Sequence, residues 1–210
     1  MIQYIKVAIS ILLSILAACL YCRHRGEERK LCMEGMLLST GGDIFMTDVL
    51  KLGSVGTYPG AAFFILAHIV YAVCFFRAGK KSGIALKNRG FYGGLVLVGT
   101  AAVLLTVLMF IKTGKVQSMY FPLLFYMAFI SLNLVSQFSY GYGKKGKCIF
   151  LIPAMTLFLI SDFLVFLPMI SVLPESVTYN ILIWLFYIPA QLLIILCNTD
   201  GKDEAFADHN

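Results

Sequence analysis

The chain has 210 residues, of which 60% are hydrophobic and only 13% are charged. Soluble globular domains carry about 25% charged residues, so this composition excludes a soluble domain. The formal net charge of +6 would suit nucleic-acid binding, but the basic residues follow a membrane pattern, described below, and we expect no nucleic-acid partner.

Seven apolar segments follow one another along the chain, each close to the roughly 20 residues that a helix needs to cross the hydrocarbon core of a bilayer. They predict an all-α fold, a polytopic transmembrane bundle of about seven helices in a single domain over residues 1–198. The polar stretch at 199–210 is expected to be a short disordered tail. The first segment lacks the basic start and the cleavage site of a signal peptide, so we expect it to remain as a helix. The predicted spans are residues 2–22, 31–50, 58–77, 91–112, 117–138, 148–170 and 178–198.

Lysine and arginine are concentrated on one side of this predicted bundle. Thirteen of the seventeen lie in the first, third and fifth loops or in the tail, and four lie on the opposite side. Cytoplasmic loops are enriched in basic residues, so the N-terminus is predicted outside and the C-terminus in the cytoplasm, with the cell (inner) membrane as the location. The thirteen are Arg23, Arg25, Arg29, Lys30, Arg77, Lys80, Lys81, Lys87, Arg89, Lys144, Lys145, Lys147 and Lys202, and the four are Lys6, Lys51, Lys112 and Lys115.

Ionisable side chains deep within the spans are few. They are Asp43 on the second span, His68 on the third and Asp162 on the sixth. A charged group in hydrocarbon costs at least about 2.5–3.5 kcal/mol on insertion scales, so each such residue needs a reason to be there. At about 1.5 Å per residue, all three lie roughly 10–15 Å below the outer ends of their spans. A common depth predicts a common polar site.

Helical spacing aligns further polar and aromatic residues with these three. Residues three or four positions apart share one face of a helix, and lipid penalises a polar face, so these stripes are expected to face the bundle interior. The stripes are Ser39, Asp43 and Thr47 on the second span, Gly60, Phe64, His68 and Tyr71 on the third, Tyr126, Asn133 and Gln137 on the fifth, and Asn180, Trp184, Tyr187 and Gln191 on the seventh.

Four short motifs occur in order along the chain. They are Gly42-Asp43, Gly60-x-x-x-Phe64-x-x-x-His68-x-x-Tyr71, Phe158-x-x-Ser161-Asp162 and Tyr187-x-x-Ala190-Gln191. Together they resemble the YhhN or lysoplasmalogenase-like family of membrane hydrolases, over about residues 6–196. That family usually has eight spans, and the seven spans predicted here are expected to correspond to its second to eighth, in agreement with an N-terminus outside. The family's Lys-Pro pair stands here as Lys6-Val7.

The resemblance implies hydrolysis of the vinyl-ether bond of lysoplasmalogens. The substrate is a lysophospholipid from the bilayer, and the products are a fatty aldehyde and glycerophosphoethanolamine or glycerophosphocholine. Vinyl ethers hydrolyse by acid catalysis, which calls for one protonated carboxyl group and one carboxylate. The resemblance maps the two catalytic aspartates to Asp43 and Asp162. Supporting or substrate-binding roles fall to His68, Tyr71, Ser161, Tyr187 and Gln191, and no metal or other cofactor is expected.

Other interpretations stay open on the residues alone. Asp43 and His68 form a structural pair in one of them, and structural hydrogen bonding is the commoner role for Tyr71, Tyr187 and Asn180. Intramembrane Asp and His also serve proton relays, so a small proton-coupled carrier is an alternative, although no internal repeat is visible. A non-catalytic lipid-binding membrane module is another. A zinc hydrolase is disfavoured because only one histidine lies in the spans, and a serine esterase because no Gly-x-Ser-x-Gly motif is present.

Overall fold

The described part of the chain, in a computed structural model, comprises residues 2–47, 49–114, 120–144, 149–169, 172 and 176–197. Within these ranges it forms seven α-helices, a short 3-10 helix at Gly53–Gly56 and no strand, which confirms the predicted all-α class. The predicted tail at 199–210 lies outside the described residues. The helices are α1 (Ile2–Arg23), α2 (Glu27–Met46), α3 (Thr57–Lys81), α4 (Arg89–Thr113), α5 (Tyr120–Lys144), α6 (Leu151–Met169) and α7 (Val177–Cys197).

Six of the seven described helices are long and apolar enough to cross a membrane, and the chain is an integral multi-pass membrane protein. The exception is α2, whose 20 residues reach about 30 Å but include a charged first turn, Glu34 and Asp43. This helix packs against α1, α3 and α7. Those neighbours shield the polar face of α2 from lipid, as a polar helix in a bilayer requires.

The prediction for the second span was wrong by four residues at each end, since α2 covers Glu27–Met46 rather than 31–50. A search for apolar runs assigns the charged start to a loop, yet acidic residues stabilise the first turn of a helix through its dipole. At the other end, Thr47 closes the helix by donating from its amide (2.9 Å) and its hydroxyl (2.7 Å) to the carbonyl oxygen of Asp43. Asp43 therefore lies in the last turn of α2, nearer to the helix end than predicted.

Contacts between helix ends place the start of α2, the end of α3, the start of α4 and the end of α5 on one side of the bundle. The orientation of this side in the membrane, cytoplasmic by the charge count, stays a prediction. The contacts are the ion pair between Glu28 and Lys81 (3.2 Å), the ring contact between Phe75 and Tyr140 (5.8 Å between centroids), and the hydrogen bond from the Asn88 amide to the Ser139 carbonyl oxygen (2.8 Å).

Glycines allow neighbouring helices to approach closely at the positions that carry the motifs. A Cβ on Gly42 would lie 2.8 Å from the ring of Phe64, and a Cβ on Gly60 would lie 3.3 Å from the carbonyl oxygen of Gly42. Real Cβ atoms rarely come this close to other atoms, so a side chain at either position would push α2 and α3 apart. Close packing of these two helices sets the position of Asp43 relative to α3.

Gly90→Ala is expected to destabilise the bundle because α4 contacts the backbone of α5 at this glycine. A Cβ there would overlap the carbonyl of Phe138 and lie 2.7 Å from Cβ of Tyr142, and backbone atoms cannot move aside cheaply. Overpacking of this kind costs about 1–3 kcal/mol, to be measured as a lower Tm in detergent. Gly93→Ala is the matched control, because no atom lies within 4 Å of the added Cβ. An equal effect of both substitutions would contradict this explanation.

Candidate functional site

Two networks of buried polar side chains lie inside the bundle, one around Asp43 and the other around Asp162. The exposed fraction is 4% for Asp43 and 8% for Asp162, so neither carboxylate faces lipid. The first network joins α1, α2, α3 and α7, and the second joins α3, α5 and α6.

Asp43 accepts two hydrogen bonds on the same carboxylate oxygen, Oδ2. One comes from the hydroxyl of Ser10 on α1, and the other comes from the hydroxyl of Tyr187 on α7 at 3.0 Å. The Tyr187 hydroxyl in turn accepts from Nε2 of Gln191 at 3.2 Å. Side chains of three helices thus meet at one carboxylate. The hydroxyl groups give this buried carboxylate hydrogen-bond partners, without which its burial in apolar surroundings would cost free energy.

Gln191 extends this network to α3. Its Nε2 also donates to the hydroxyl of Ser39 at 3.2 Å, and its Oε1 accepts from the hydroxyl of Tyr71 at 3.0 Å. Ser39 and Asp43 are one turn apart on α2, as Tyr187 and Gln191 are on α7. The polar stripes of these two helices therefore face each other, and Tyr71 of α3 contacts the α7 stripe at Gln191.

Asp162 is grouped with His68 and Tyr126. Nε2 of His68 lies 3.5 Å from Oδ2 of Asp162 and 3.3 Å from the Tyr126 hydroxyl, which itself lies 3.5 Å from the same Oδ2. On the other side of the ring, Nδ1 of His68 lies 3.0 Å from the amide nitrogen of Asn133. That nitrogen can only donate, so Nδ1 accepts and the proton of a neutral ring is on Nε2, facing Asp162.

The second network continues along α5 to Gln137. Its Nε2 donates to Oδ1 of Asn133 at 2.9 Å, which fixes the orientation of the Asn133 amide toward His68. Oδ1 of Asn133 accepts this hydrogen bond while its Nδ2 donates to the His68 ring, so both the oxygen and the nitrogen of the amide are hydrogen-bonded. Oε1 of Gln137 is buried and has no hydrogen-bond partner in the part of the chain that the structure describes.

Aromatic rings lie between the two networks. The ring of Phe158 contacts His68 on one side (5.1 Å between centroids) and Tyr187 on the other (5.6 Å). No hydrogen bond between described residues joins the networks. His68 pairs with Asp162 and not with Asp43, so the structural Asp43–His68 pair considered from the sequence is wrong. The face of α3 that carries His68 packs toward α5, where Asn133 and Tyr126 hold the ring.

Sequence reasoning missed the contribution of α1. Lys6, Ser10 and Ser14 are spaced four residues apart and are buried, with exposed fractions of 7%, 0% and 5%. Ser10 reaches Asp43, and Ser14 lies 2.8 Å from the hydroxyl of Thr40 on α2. The same spacing rule that identified the other stripes would have found this one, but Lys6 was used only to predict membrane orientation and to compare the chain with the family's Lys-Pro pair.

Ser161, expected in a supporting role, is buried next to Asp162 with an exposed fraction of 1%. Its hydroxyl makes no hydrogen bond to either network among the described residues. Within those residues, no group of three or more His, Cys, Asp or Glu side chains is arranged to hold a metal ion.

Comparison with known proteins agrees with the four motifs. The family model described as the YhhN family matches residues 1–198. The chain belongs to the YhhN family. This membership, predicted from the motifs, is thereby confirmed, and it indicates a lysoplasmalogenase-like membrane protein. No curated protein and no solved structure matches the chain. In this YhhN-family protein, the four motifs supply Asp43, Tyr71, Tyr187 and Gln191 to the first network, and His68 and Asp162 to the second.

Proposed function

We propose that this YhhN-family protein is a hydrolase of the cell (inner) membrane that cleaves the vinyl-ether bond of lysoplasmalogens. The products are a fatty aldehyde and glycerophosphoethanolamine or glycerophosphocholine. The observation that carries the proposal is the pair of buried carboxylates, Asp43 and Asp162, on different helices, each with its own hydrogen-bond network and separated by aromatic rings. Apolar rings between two carboxylates suit the alkenyl chain of such a lipid.

The chemistry needs a proton donor and a carboxylate. A carboxyl group delivers its proton to the alkene carbon that does not carry oxygen, and the neighbouring carbon becomes an oxocarbenium ion. Water adds to that ion and loses a proton, and the resulting hemiacetal collapses to the aldehyde and the glycerol hydroxyl. A second carboxylate stabilises the cation and takes the proton from water, as the paired carboxylates of glycosidases do.

The surroundings of the two aspartates suggest which plays which part. Asp162 lies beside His68, whose ring proton faces it, and a charge-assisted contact of this kind suits a carboxylate. Among the described residues, the carboxyl group of Asp43 has only hydroxyl groups as hydrogen-bond partners, and hydroxyls donate and accept equally well. The Asp43 network therefore accommodates a carboxyl group that gains and loses a proton, so we assign Asp43 as the proton donor.

The decisive experiment is an assay of the purified protein with a lysoplasmalogen, measuring aldehyde release. In deuterated water the aldehyde is expected to carry one deuterium at the carbon next to the carbonyl, because that carbon is the one protonated. A proton-coupled carrier would move lipid across vesicles and release no aldehyde, and a lipid-binding module would do neither. Absence of aldehyde with folded protein would exclude the hydrolase.

Ser10→Ala is expected to lower aldehyde release by about ten- to hundredfold, because it removes a hydrogen bond from Asp43 and a hydrogen bond to a charged group contributes about 1.5–3 kcal/mol. Ser14→Ala is the matched control one turn away on α1, since Ser14 contacts Thr40 and the backbone of Met36 but not Asp43. Steady-state kinetics of both variants checks this prediction, and equal losses would point to helix packing instead.

A further inference from the structure

Lys6 is a buried cation that has no acidic partner among the described residues. Its Nζ lies 3.3 Å from Oδ1 and 3.5 Å from the backbone oxygen of Asn180, and 5.4 Å from the centre of the Trp184 ring. These groups are neutral, and both polar contacts are longer than the usual 2.9 Å or so. An ammonium group has three donors, so Lys6 keeps the capacity to bind an anion.

The position of Lys6 relates it to the Asp43 network. Lys6 and Ser10 are one turn apart on the same face of α1, a rise of about 6 Å, and Ser10 donates to Asp43. Lys6 interacts electrostatically with Asp43 but forms no ion pair with it. On α7 the ammonium group contacts Asn180, whereas Asp43 contacts Tyr187 seven residues later, so the two contacts are separated by a rise of about 10 Å along that helix.

We propose that Lys6 binds the phosphate of the lysophospholipid headgroup while the ether bond lies at Asp43, an inference that rests on the proposed function. The alkene carbon that Asp43 protonates and the phosphorus of such a lipid are seven bonds apart along the glycerol. Three bonds of an extended chain span about 3.6 Å, so seven bonds span about 8 Å. Lys6 contacts Asn180 and Asp43 contacts Tyr187, two residues of α7 separated by a rise of about 10 Å. The lipid covers that distance with a contact of about 3 Å at each end, and Asn180 and Trp184 hold the ammonium in place.

A different role for Lys6 makes a different prediction. If its charge acts only on Asp43, then every vinyl ether depends on Lys6 equally, whatever its headgroup. If Lys6 binds phosphate, only phosphorylated substrates depend on it, because an alkenylglycerol has the same vinyl ether and glycerol but no anion. Comparing the two substrates therefore separates these roles.

The kinetic test uses the purified full-length protein and both substrates. Lys6→Met is expected to lower kcat/KM for the lysoplasmalogen by about ten- to hundredfold, mainly through KM, as loss of a hydrogen bond to a charged group does. The alkenylglycerol rate should fall far less, because that substrate carries no anion for Lys6 to bind. Lys112→Met, at an exposed lysine near the end of α4, should change neither. Equal losses on both substrates, or no loss on either, would overturn the proposal.

A binding test does not depend on the reaction. Trp184 is the only tryptophan of the chain, so its fluorescence reports on the surroundings of Lys6. A lysophospholipid with a saturated ether, which lacks the reactive double bond, should change the emission saturably, and Lys6→Met should weaken this binding by about ten- to hundredfold. The corresponding alkylglycerol should have no such effect. Inorganic phosphate as effective as the lipid would indicate a plain anion site and overturn the headgroup assignment.

The two tests also separate failure of this inference from failure of the proposed function. Saturable, Lys6-dependent fluorescence changes without aldehyde release would refute the hydrolase and keep the phosphate site. Aldehyde release that is independent of both headgroup and Lys6 would refute the phosphate site and keep the hydrolase.

Discussion

Asp43→Asn is expected to lower aldehyde release by about 10³-fold, because it removes the carboxyl group assigned as proton donor and general acids contribute about 10²–10⁴-fold. Asparagine keeps the shape of aspartate and one oxygen that can accept from Ser10 and Tyr187, whose hydroxyls both point at Oδ2. The hydrogen-bond network is therefore expected to remain, and the variant should insert into membranes and purify like the wild type.

Glu34→Gln provides the matched control on the same helix. It makes the same chemical change at a side chain that is 40% exposed and lies 3.7 Å from Lys30, away from both networks. Its aldehyde release should equal that of the wild type. Turnover by Asp43→Asn within about twofold of the wild type would remove Asp43 from the mechanism, whereas a lower Tm for Asp43→Asn would show a structural role.

Asp162→Asn is expected to cause a loss of similar size, about 10³-fold, because it removes the carboxylate that stabilises the cation in a water-poor interior. His68→Gln should lower the rate by about 10–100-fold, since His68 acts on the reaction through Asp162, 3.5 Å away. Once Asp162 is asparagine, His68→Gln should add little further loss. Rate losses caused by substitutions within one network are not additive.

A double-mutant cycle of kcat/KM for wild type, both single variants and the double variant measures this coupling. Ser161→Ala tests whether burial beside the site is enough to affect the rate. Ser161 lies next to Asp162 but makes no hydrogen bond to either network among the described residues. Additive losses for His68→Gln and Asp162→Asn would contradict the assigned pairing and show that His68 acts independently of Asp162.

Much of this architecture follows from local properties of the chain. Hydropathy and segment length predict the helices, since each transmembrane helix satisfies its own backbone hydrogen bonds and needs about 20 apolar residues to do so in lipid. The 3.6-residue period places Ser39 with Asp43, and Tyr187 with Gln191, on shared faces. Even α1 shows the same spacing at Lys6 and Ser10. The motifs also sufficed to predict the family.

Local rules did not determine where α2 begins and ends. Its charged first turn resembles a loop in a hydropathy profile, and only packing against α1, α3 and α7 makes a helix of that composition acceptable in a bilayer. Asp43 consequently lies in the last turn of α2 and still remains buried. Burial at that position depends on neighbouring helices, which no window along the sequence contains.

The amino-acid sequence by itself determined that the chain is a bundle of apolar helices, which faces of most helices are polar and which family the chain belongs to. The tertiary structure alone decided which faces meet: His68 with Asp162 rather than Asp43, and Ser10 with Asp43. The physical reason is that helical periodicity sets the direction of a side chain relative to its own axis, whereas the rotation and spacing of neighbouring helices depend on long-range packing. Here that packing includes close approaches at Gly42 and Gly60.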